Sequence, residues 1–340
     1  MKYKRIVATK FGGPEVLQVI EDELHEPKAG EARVKILAAS VSRPDITARS
    51  GKALYSGTPL GQKVPFTPGY SIIGVVDAIG EGVSEVAVGD WVGALTVIHG
   101  YSEYLYWKSD RLIPVPKDVD PGEAVPLILN YIVAYQAMHR SARVKAGEKT
   151  LIIGASGGIG TALLQLGKIA GLQMYAVASA NKHAILQEYR AIPIDYHTQD
   201  FAEVIRQSEP AGVDVVLDGM TNVDGIRRAL SLLRRGGRLV CFGEPAGGFP
   251  NLLQVLGIFA AVNMLPNGKS MKLYGTSTYF IGDPKPYYED WATIFKLYQE
   301  GKIKPIIEKK FPLWEAAQAN ALLESGKVTG NVVLVSPELF

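Results

Sequence analysis

The stretch from Thr150 to Gly160, Thr-Leu-Ile-Ile-Gly-Ala-Ser-Gly-Gly-Ile-Gly, constrains the fold of this chain more than any other. Leu151, Ile152 and Ile153 form a short apolar run of the kind that becomes a parallel strand buried on both faces. Glycines follow at 154, 157, 158 and 160, and apolar residues then recur at 163, 164, 166 and 169, which is helical spacing. Strand, glycine turn and helix in this order make a dinucleotide site. The glycines let backbone N–H groups approach a pyrophosphate, and the start of the helix carries partial positive charge. The expected contacts in the turn are Ser156, Gly157, Gly158, Ile159 and Gly160. The usual pattern is G-x-G-x-x-G. Here Ala155 holds the first glycine place, Gly154 precedes it, and Gly157 and Gly160 hold the other two. A tight turn without a ligand is the competing reading, and the flanking strand and helix weigh against it.

The pattern around this turn extends the argument. Strands are expected at 173–178, 192–194, 213–218 and 238–242, with helices at 181–190, 199–207 and 222–234 between them. This alternation calls for a parallel sheet covered by helices on both faces, with the ligand crevice at the C-terminal ends of the strands. Upstream, Asp120-Pro-Gly-Glu123 has an N-cap residue, a proline at the first helical position and an acid at the third, so a helix should run from there to about Arg140. Residues 1 to about 120 read instead as short strands punctuated by Gly and Pro, which suggests a partly open β-barrel. After about 266 an edge strand over 271–279, helices near 288–300 and up to 325, and a strand at 331–335 read as a return to the first domain. The expected domains are therefore 1–122 with 266–340, and 123–265.

Composition narrows the functional classes. At 340 residues the chain is long enough for two domains, and 47% hydrophobic with 21% charged residues describes an ordinary globular protein. A net charge of +2 gives no reason to expect a nucleic-acid partner. One cysteine, Cys241, excludes an intrachain disulfide and fits a reducing, cytoplasmic location; the N-terminus runs directly into a strand-like segment rather than a signal peptide. The longest apolar run, 252–265, is too short to span a bilayer and reads as a buried helix, or as the wall of a hydrophobic substrate pocket.

Several segments taken together resemble the medium-chain dehydrogenase/reductase superfamily, in its zinc-independent quinone oxidoreductase branch. They are Ser40-Val-Ser-Arg-Pro-Asp45, Thr67 to Val76, Val88-Gly-Asp-Trp-Val92, Gly100-Tyr-Ser-Glu-Tyr104, Gly154 to Gly160, and Leu323 to Leu334. The resemblance implies a GroES-like catalytic domain split around a Rossmann domain, with homodimers usual; the 271–280 edge strand suggests that subunits pair sheet to sheet. Zinc is not expected. The family's ligand cysteine is absent near Val41 and Ser42, its Gly-His-Glu motif is Gly69-Tyr70-Ser71 here, and the five histidines at 25, 99, 139, 183 and 197 lack ligand spacing.

The expected cofactor is NADP(H). An NAD site usually carries an acid at the end of the second strand for the ribose 2′-OH. Here that end reads Ala176-Val-Ala-Ser-Ala-Asn-Lys182, where Ser179 can donate to a 2′-phosphate and Lys182 can pair with it. The family's phosphate-binding tyrosine corresponds to Tyr196. The resemblance also places Asn130, Val133, Phe242, Gly243 and Asn331 near the cofactor, although relatives carry threonine at the Val133 position and lysine at the Asn331 position. Without a metal, hydride transfer to a small hydrophobic quinone or α,β-unsaturated carbonyl suits the chain, because the carbonyl oxygen then needs only hydrogen-bond donors and a proton. The candidate donors are Ser42, where relatives have asparagine, and Tyr55. Enoyl-thioester reduction and non-catalytic NADPH binding are the alternatives.

Overall fold

The expected parallel strands all form, and their order explains the position of the glycine turn. The computed structural model describes residues 1–53, 56, 58–59, 61–243, 248–276, 280 and 282–339, with side chains omitted for 248–250. Strands β1 to β7 are Lys2–Ala8, Leu17–Glu23, Glu31–Val41, Ser71–Ile79, Trp91–Leu95, Tyr104–Lys108 and Ile113–Pro114. Strands β8 to β13 are Lys149–Ile153, Gln173–Ala178, Ile192–Asp195, Val213–Asp218, Leu233–Cys241 and Ser270–Leu273; β14 and β15 are Ile307–Pro312 and Asn331–Val335. Helices α1 to α5 are Arg43–Arg49, Pro121–Pro126, Ile132–Tyr135, Gly158–Ile169 and His183–Glu188. Helices α6 to α10 are Phe201–Ser208, Val223–Leu232, Gly248–Met264, Lys285–Gln299 and Ala316–Glu324.

The chain divides into two units. The first comprises Met1–Leu129, Phe280–Lys296 and Lys304–Phe340; the second comprises Asn130–Tyr279 and Leu297–Ile303. The division falls at 129/130 and 279/280, against the expected 122/123 and 265/266. Strand β13 joins the parallel sheet by pairing with β12, from Arg238↔Ser270 to Cys241↔Leu273, so the segment around it falls in the second unit.

In the second unit six strands run in the order β10-β9-β8-β11-β12-β13. All the pairings are parallel. The chain winds outward from β8 through β9 to β10, then crosses to β11 and winds the other way, so the topological switch lies between β8 and β11. Apolar residues on the strands, among them Leu151, Val177, Val216 and Leu239, pack with Ile205 and Ile226 of the covering helices. Cys241 is buried in this core. In the first unit a seven-stranded sheet has the order β14-β15-β3-β4-β5-β7, with β6 also paired to β3, and β1 pairs with β2 separately. Its core includes Ile72, Val76, Val92, Leu105 and Leu334. This is the GroES-like and Rossmann-like combination that the resemblance implied.

Three local departures have physical reasons. The helix expected over 120–140 starts as its cap predicts, with the Asp120 carboxylate accepting from Gly122 N at 2.8 Å, but it does not stay α. Pro126 lies inside it and removes a backbone donor, and the chain widens to π-helical turns over Leu127–Tyr131 and again over Gln136–Ala142. Helix α8 is only half buried. Val255 faces the core, and Ile258, Phe259 and Val262 pack beside it, while Leu253 is 56% and Met264 83% exposed. No helix among the described residues is long and apolar enough to cross a membrane. Finally, β13 ends its sheet, yet its outer edge is occupied at Met271. The Asn263 side chain of α8 accepts from Met271 N at 3.1 Å and donates to Met271 O at 3.0 Å. An edge closed in this way offers no backbone partner to a neighbouring strand at that residue.

Candidate functional site

The second unit brings together most of the residues expected around a cofactor. Ile153, Asp218 and Cys241 are in register across β8, β11 and β12. The residues that follow them, Gly154, Gly219 and Phe242, therefore emerge side by side at the C-terminal edge of the sheet. Gly154 is left-handed, with φ 84°, and Gly157 is the N-cap of α4. A β-carbon on Gly160 would come within 2.3 Å of Gly154 O, so this first helical turn lies directly on the turn that precedes it. A β-carbon on Gly157 would meet nothing nearer than 3.9 Å, so the space over that glycine is open. The N–H groups of Gly158, Ile159 and Gly160 lie in the first turn of α4, where a helix leaves its donors without internal partners. This cradle fits a pyrophosphate.

The same register argument applies at the other end of the site. Ala178 of β9 pairs with Asp195 of β10, so Ser179 and Tyr196 leave the sheet together. Tyr196 is exposed and its ring lies 4.2 Å from that of His197. The Ser179 hydroxyl donates to Asn181 Oδ1 at 2.7 Å, and Lys182 is only 9% exposed. Asp195, which the sequence reading passed over, turns its carboxylate back onto its own loop. It accepts from His197 N at 3.1 Å and Thr198 Oγ1 at 2.9 Å, and the His197 N–H holds its pKa below the ordinary value.

Around the turn, Phe242 N donates to Asp218 O and Gly243 N to Thr221 Oγ1. Asp218 is buried, which raises its pKa, and one carboxylate oxygen accepts from Met220 N at 2.8 Å. Burial, with the nearby Asp218 charge, also pushes the Cys241 thiol up, which leaves it an inert apolar group. Asn130 and Val133 are buried on the widened helical segment. The segment is fixed to α4 by Tyr131 OH donating to Gln165 Oε1 at 3.0 Å. Asn331 belongs to the first unit, where its side-chain amide donates to Ile306 O at 2.9 Å.

In the first unit Ser42 lies at the start of α1 and is 5% exposed. Its hydroxyl donates to Asp45 Oδ2 at 2.6 Å, and its backbone N–H reaches the same oxygen at 2.8 Å. Asp45 Oδ1 accepts from Gly69 N at 2.9 Å. Gly69 has φ 113°, and a β-carbon there would come within 2.4 Å of Gly100 Cα, so only glycine brings these two loops together. The joined loop also contains Val97 and His99, both non-glycine residues at positive φ. Desolvation and the Arg5 charge lower the His99 pKa. Asp45 is 2% exposed; burial raises its pKa to about 6 against the pull of the Ser42 and Gly69 donors. One turn on, the fully buried Arg49 donates to Gly12 O and pairs with Glu324 of α10. Tyr55 lies outside the described residues. Asp45 was readable in part, since Ser42-Arg-Pro-Asp45 has capping-box spacing.

Comparison with known proteins agrees with this geometry. Residues 28–117 match the family model described as alcohol dehydrogenase GroES-like domain, and residues 190–334 match the one described as zinc-binding dehydrogenase. Among the described residues no group of three or more His, Cys, Asp or Glu is placed to hold a metal ion. The chain is 29% identical over 336 residues to a quinone oxidoreductase of Rattus norvegicus, covering 96% of this chain and 95% of that one. It is 30% identical over 343 residues to a synaptic vesicle membrane protein VAT-1 homolog of Homo sapiens, covering 97% and 86%. Among solved structures, CurK enoyl reductase superposes with a TM-score of 0.85 at 26% identity, covering 99% of each chain. A mycobacterial protein complexed with NADPH superposes at 0.83 with 26% identity, covering 98% and 99%. The glycine cradle at the switch of a Rossmann-like sheet, the GroES-like unit and these relatives lead to one assignment: the chain belongs to the medium-chain dehydrogenase/reductase superfamily, and is an oxidoreductase of the quinone oxidoreductase type.

Proposed function

We propose that the chain is an NADPH-dependent reductase of quinones or α,β-unsaturated carbonyls. The observation that supports the cofactor choice is the register of Ala178 with Asp195, from which Ser179 and Tyr196 leave the sheet together, with Lys182 in the turn that follows Ser179. In this reading the turn from Ser156 to Gly160 binds the pyrophosphate through backbone N–H groups. Lys182, Ser179 and Tyr196 hold the 2′-phosphate, and Asn130, Val133, Phe242 and Gly243 surround the rest of the cofactor. Bound NADPH supplies the hydride. The chain's own task is then to orient the acceptor, exclude water and hydrogen-bond the oxygen on which charge develops, with Ser42 and Tyr55 as the candidate groups.

A second reading, enoyl-thioester reduction, is supported by the likeness to CurK enoyl reductase. A homodimer is part of the proposal, with the exposed apolar face of α8 as the contact.

Consumption of NADPH and NADH is to be followed in parallel with 1,4-benzoquinone, 9,10-phenanthrenequinone, a medium-chain enone and crotonyl-CoA. Turnover of quinones or enones with NADPH and little with NADH is the expected result. Strong preference for crotonyl-CoA selects the thioester reading. Tight NADPH binding without turnover of any acceptor rejects both in favour of a binding role.

A further inference from the structure

Ser42 has one hydroxyl proton, and in the structure that proton is directed at Asp45 Oδ2, 2.6 Å away. A hydroxyl committed in this way offers only lone pairs to a substrate, so it can accept a hydrogen bond but cannot stabilise a developing oxyanion. The second oxygen of the carboxylate is held by Gly69 N. We propose that Asp45 governs the direction of the Ser42 hydrogen bond and serves, through Ser42, as the proton reservoir for the reduced substrate. With Asp45 ionised, Ser42 points inward and gives the substrate no proton. With Asp45 protonated, its Oδ2–H donates to Ser42 Oγ and the Ser42 proton turns toward the substrate oxygen. Asp45 is then a positioning residue and Ser42 the group that touches substrate. This inference rests on the reductase reading above.

The step balances. A bound reduced nicotinamide would supply the hydride and its electron pair, and the acceptor would be left with negative charge on an enolate or hydroquinone oxygen. The Ser42 Oγ–H bond breaks as the substrate O–H bond forms. The Asp45 Oδ2–H bond breaks as a new Ser42 Oγ–H bond forms. Asp45 is left ionised and takes a proton from solvent before the next turnover.

The surroundings favour a carboxyl that holds its proton into the working range. Burial is the largest influence on Asp45 and raises its pKa, and no cation pairs with it directly among the described residues. Arg49, on the same helix, is already engaged by Gly12 O and Glu324. From the loop that follows β5, the fully buried Tyr101 acts on Asp45, although its hydroxyl makes no well-formed hydrogen bond. Asn320 of α10 lies beside Tyr101 and is uncharged. Arg5 and His99 flank Thr67 in the adjoining loop, Arg5 through Thr67 Oγ1 at 2.8 Å and His99 through its backbone N–H. A capping box alone would hold Asp45 ionised at the surface of a helix end. Here the box is sealed by a second loop.

The test is the pH profile of kcat with 9,10-phenanthrenequinone and NADPH for wild type, Asp45→Asn, Ser42→Ala and Ser42→Thr. The infrared carboxylic-acid band of each protein is titrated alongside. The expected result is a wild-type kcat that falls about tenfold per pH unit above the Asp45 titration. That limb should be retained in Ser42→Thr and absent from Asp45→Asn and Ser42→Ala. The infrared band should vanish in Asp45→Asn and persist in Ser42→Ala. The limb surviving in folded, NADPH-binding Asp45→Asn overturns the relay and leaves the reductase reading standing. If Asp45→Asn does not fold, the limb surviving in Ser42→Ala overturns it equally. No turnover of quinones or enones by wild type at any pH rejects the reductase reading and the relay with it.

Discussion

Gly160 lies so close to Gly154 that a β-carbon on it would stand 2.3 Å from the Gly154 carbonyl oxygen. The contact is backbone against backbone and has no flexible side chain to yield. Gly160→Ala should lose roughly 1–3 kcal/mol of stability by overpacking, together with cofactor affinity. Gly157→Ala has free space and should keep its stability, while its methyl stands where a pyrophosphate would approach. Urea unfolding beside NADPH titration for both variants checks the contrast. Equal stability loss in the two would contradict the packing argument.

Lys182 tests the cofactor choice. Removal of a charge-assisted contact to the 2′-phosphate should weaken NADPH binding roughly tenfold to a hundredfold in Lys182→Ala. NADH, which has no such phosphate, should bind nearly as before. Loss of both in equal measure would show that the buried lysine supports the loop instead.

Asp45 also makes a prediction about stability. Its folded pKa of about 6 lies above the ordinary 3.8, so between these values the native state holds a proton that the unfolded chain has released. Stability arising from this group is therefore present at low pH and declines as pH rises through about 4 to 6. The difference corresponds to at most roughly 3 kcal/mol. The stability of wild type relative to Asp45→Asn should fall over that window and level off above it. Parallel denaturation curves at all pH values would contradict the burial argument.

The apolar face of α8 should govern assembly. Leu253 and Leu256 are exposed, and the helix carries no charged side chain. A Leu253→Lys, Leu256→Lys double variant should shift the protein to monomer in light scattering while its thermal unfolding changes little. A dimer that survives both substitutions would place the contact elsewhere.

How much of this could be read from the sequence depended on whether the determinant was local. The run Val213–Asp218 and the glycine turn carry their own patterns, and strand β11 matches the expected bounds. The sequence of strand β13 does not show which sheet it joins, because four residues carry too little periodicity. Helix α8 reads as buried because its sequence is apolar on all sides, and sequence does not tell what covers a face. The Ser42–Asp45 spacing signals a cap, but the burial that changes its chemistry comes from Gly69 and Tyr101 in other segments. Pro126 was visible, while the widening of the helix after it was a tertiary outcome.

The pair of hydrogen bonds between Asn263 and Met271 makes a side-chain amide take the place of a neighbouring strand at that residue. The substitute works because an amide carries a donor and an acceptor at once. Deamidation to aspartate would leave only acceptors, setting a carboxylate against the Met271 carbonyl oxygen. One slow chemical ageing event on α8 would thus unseal the outer edge of β13 at Met271.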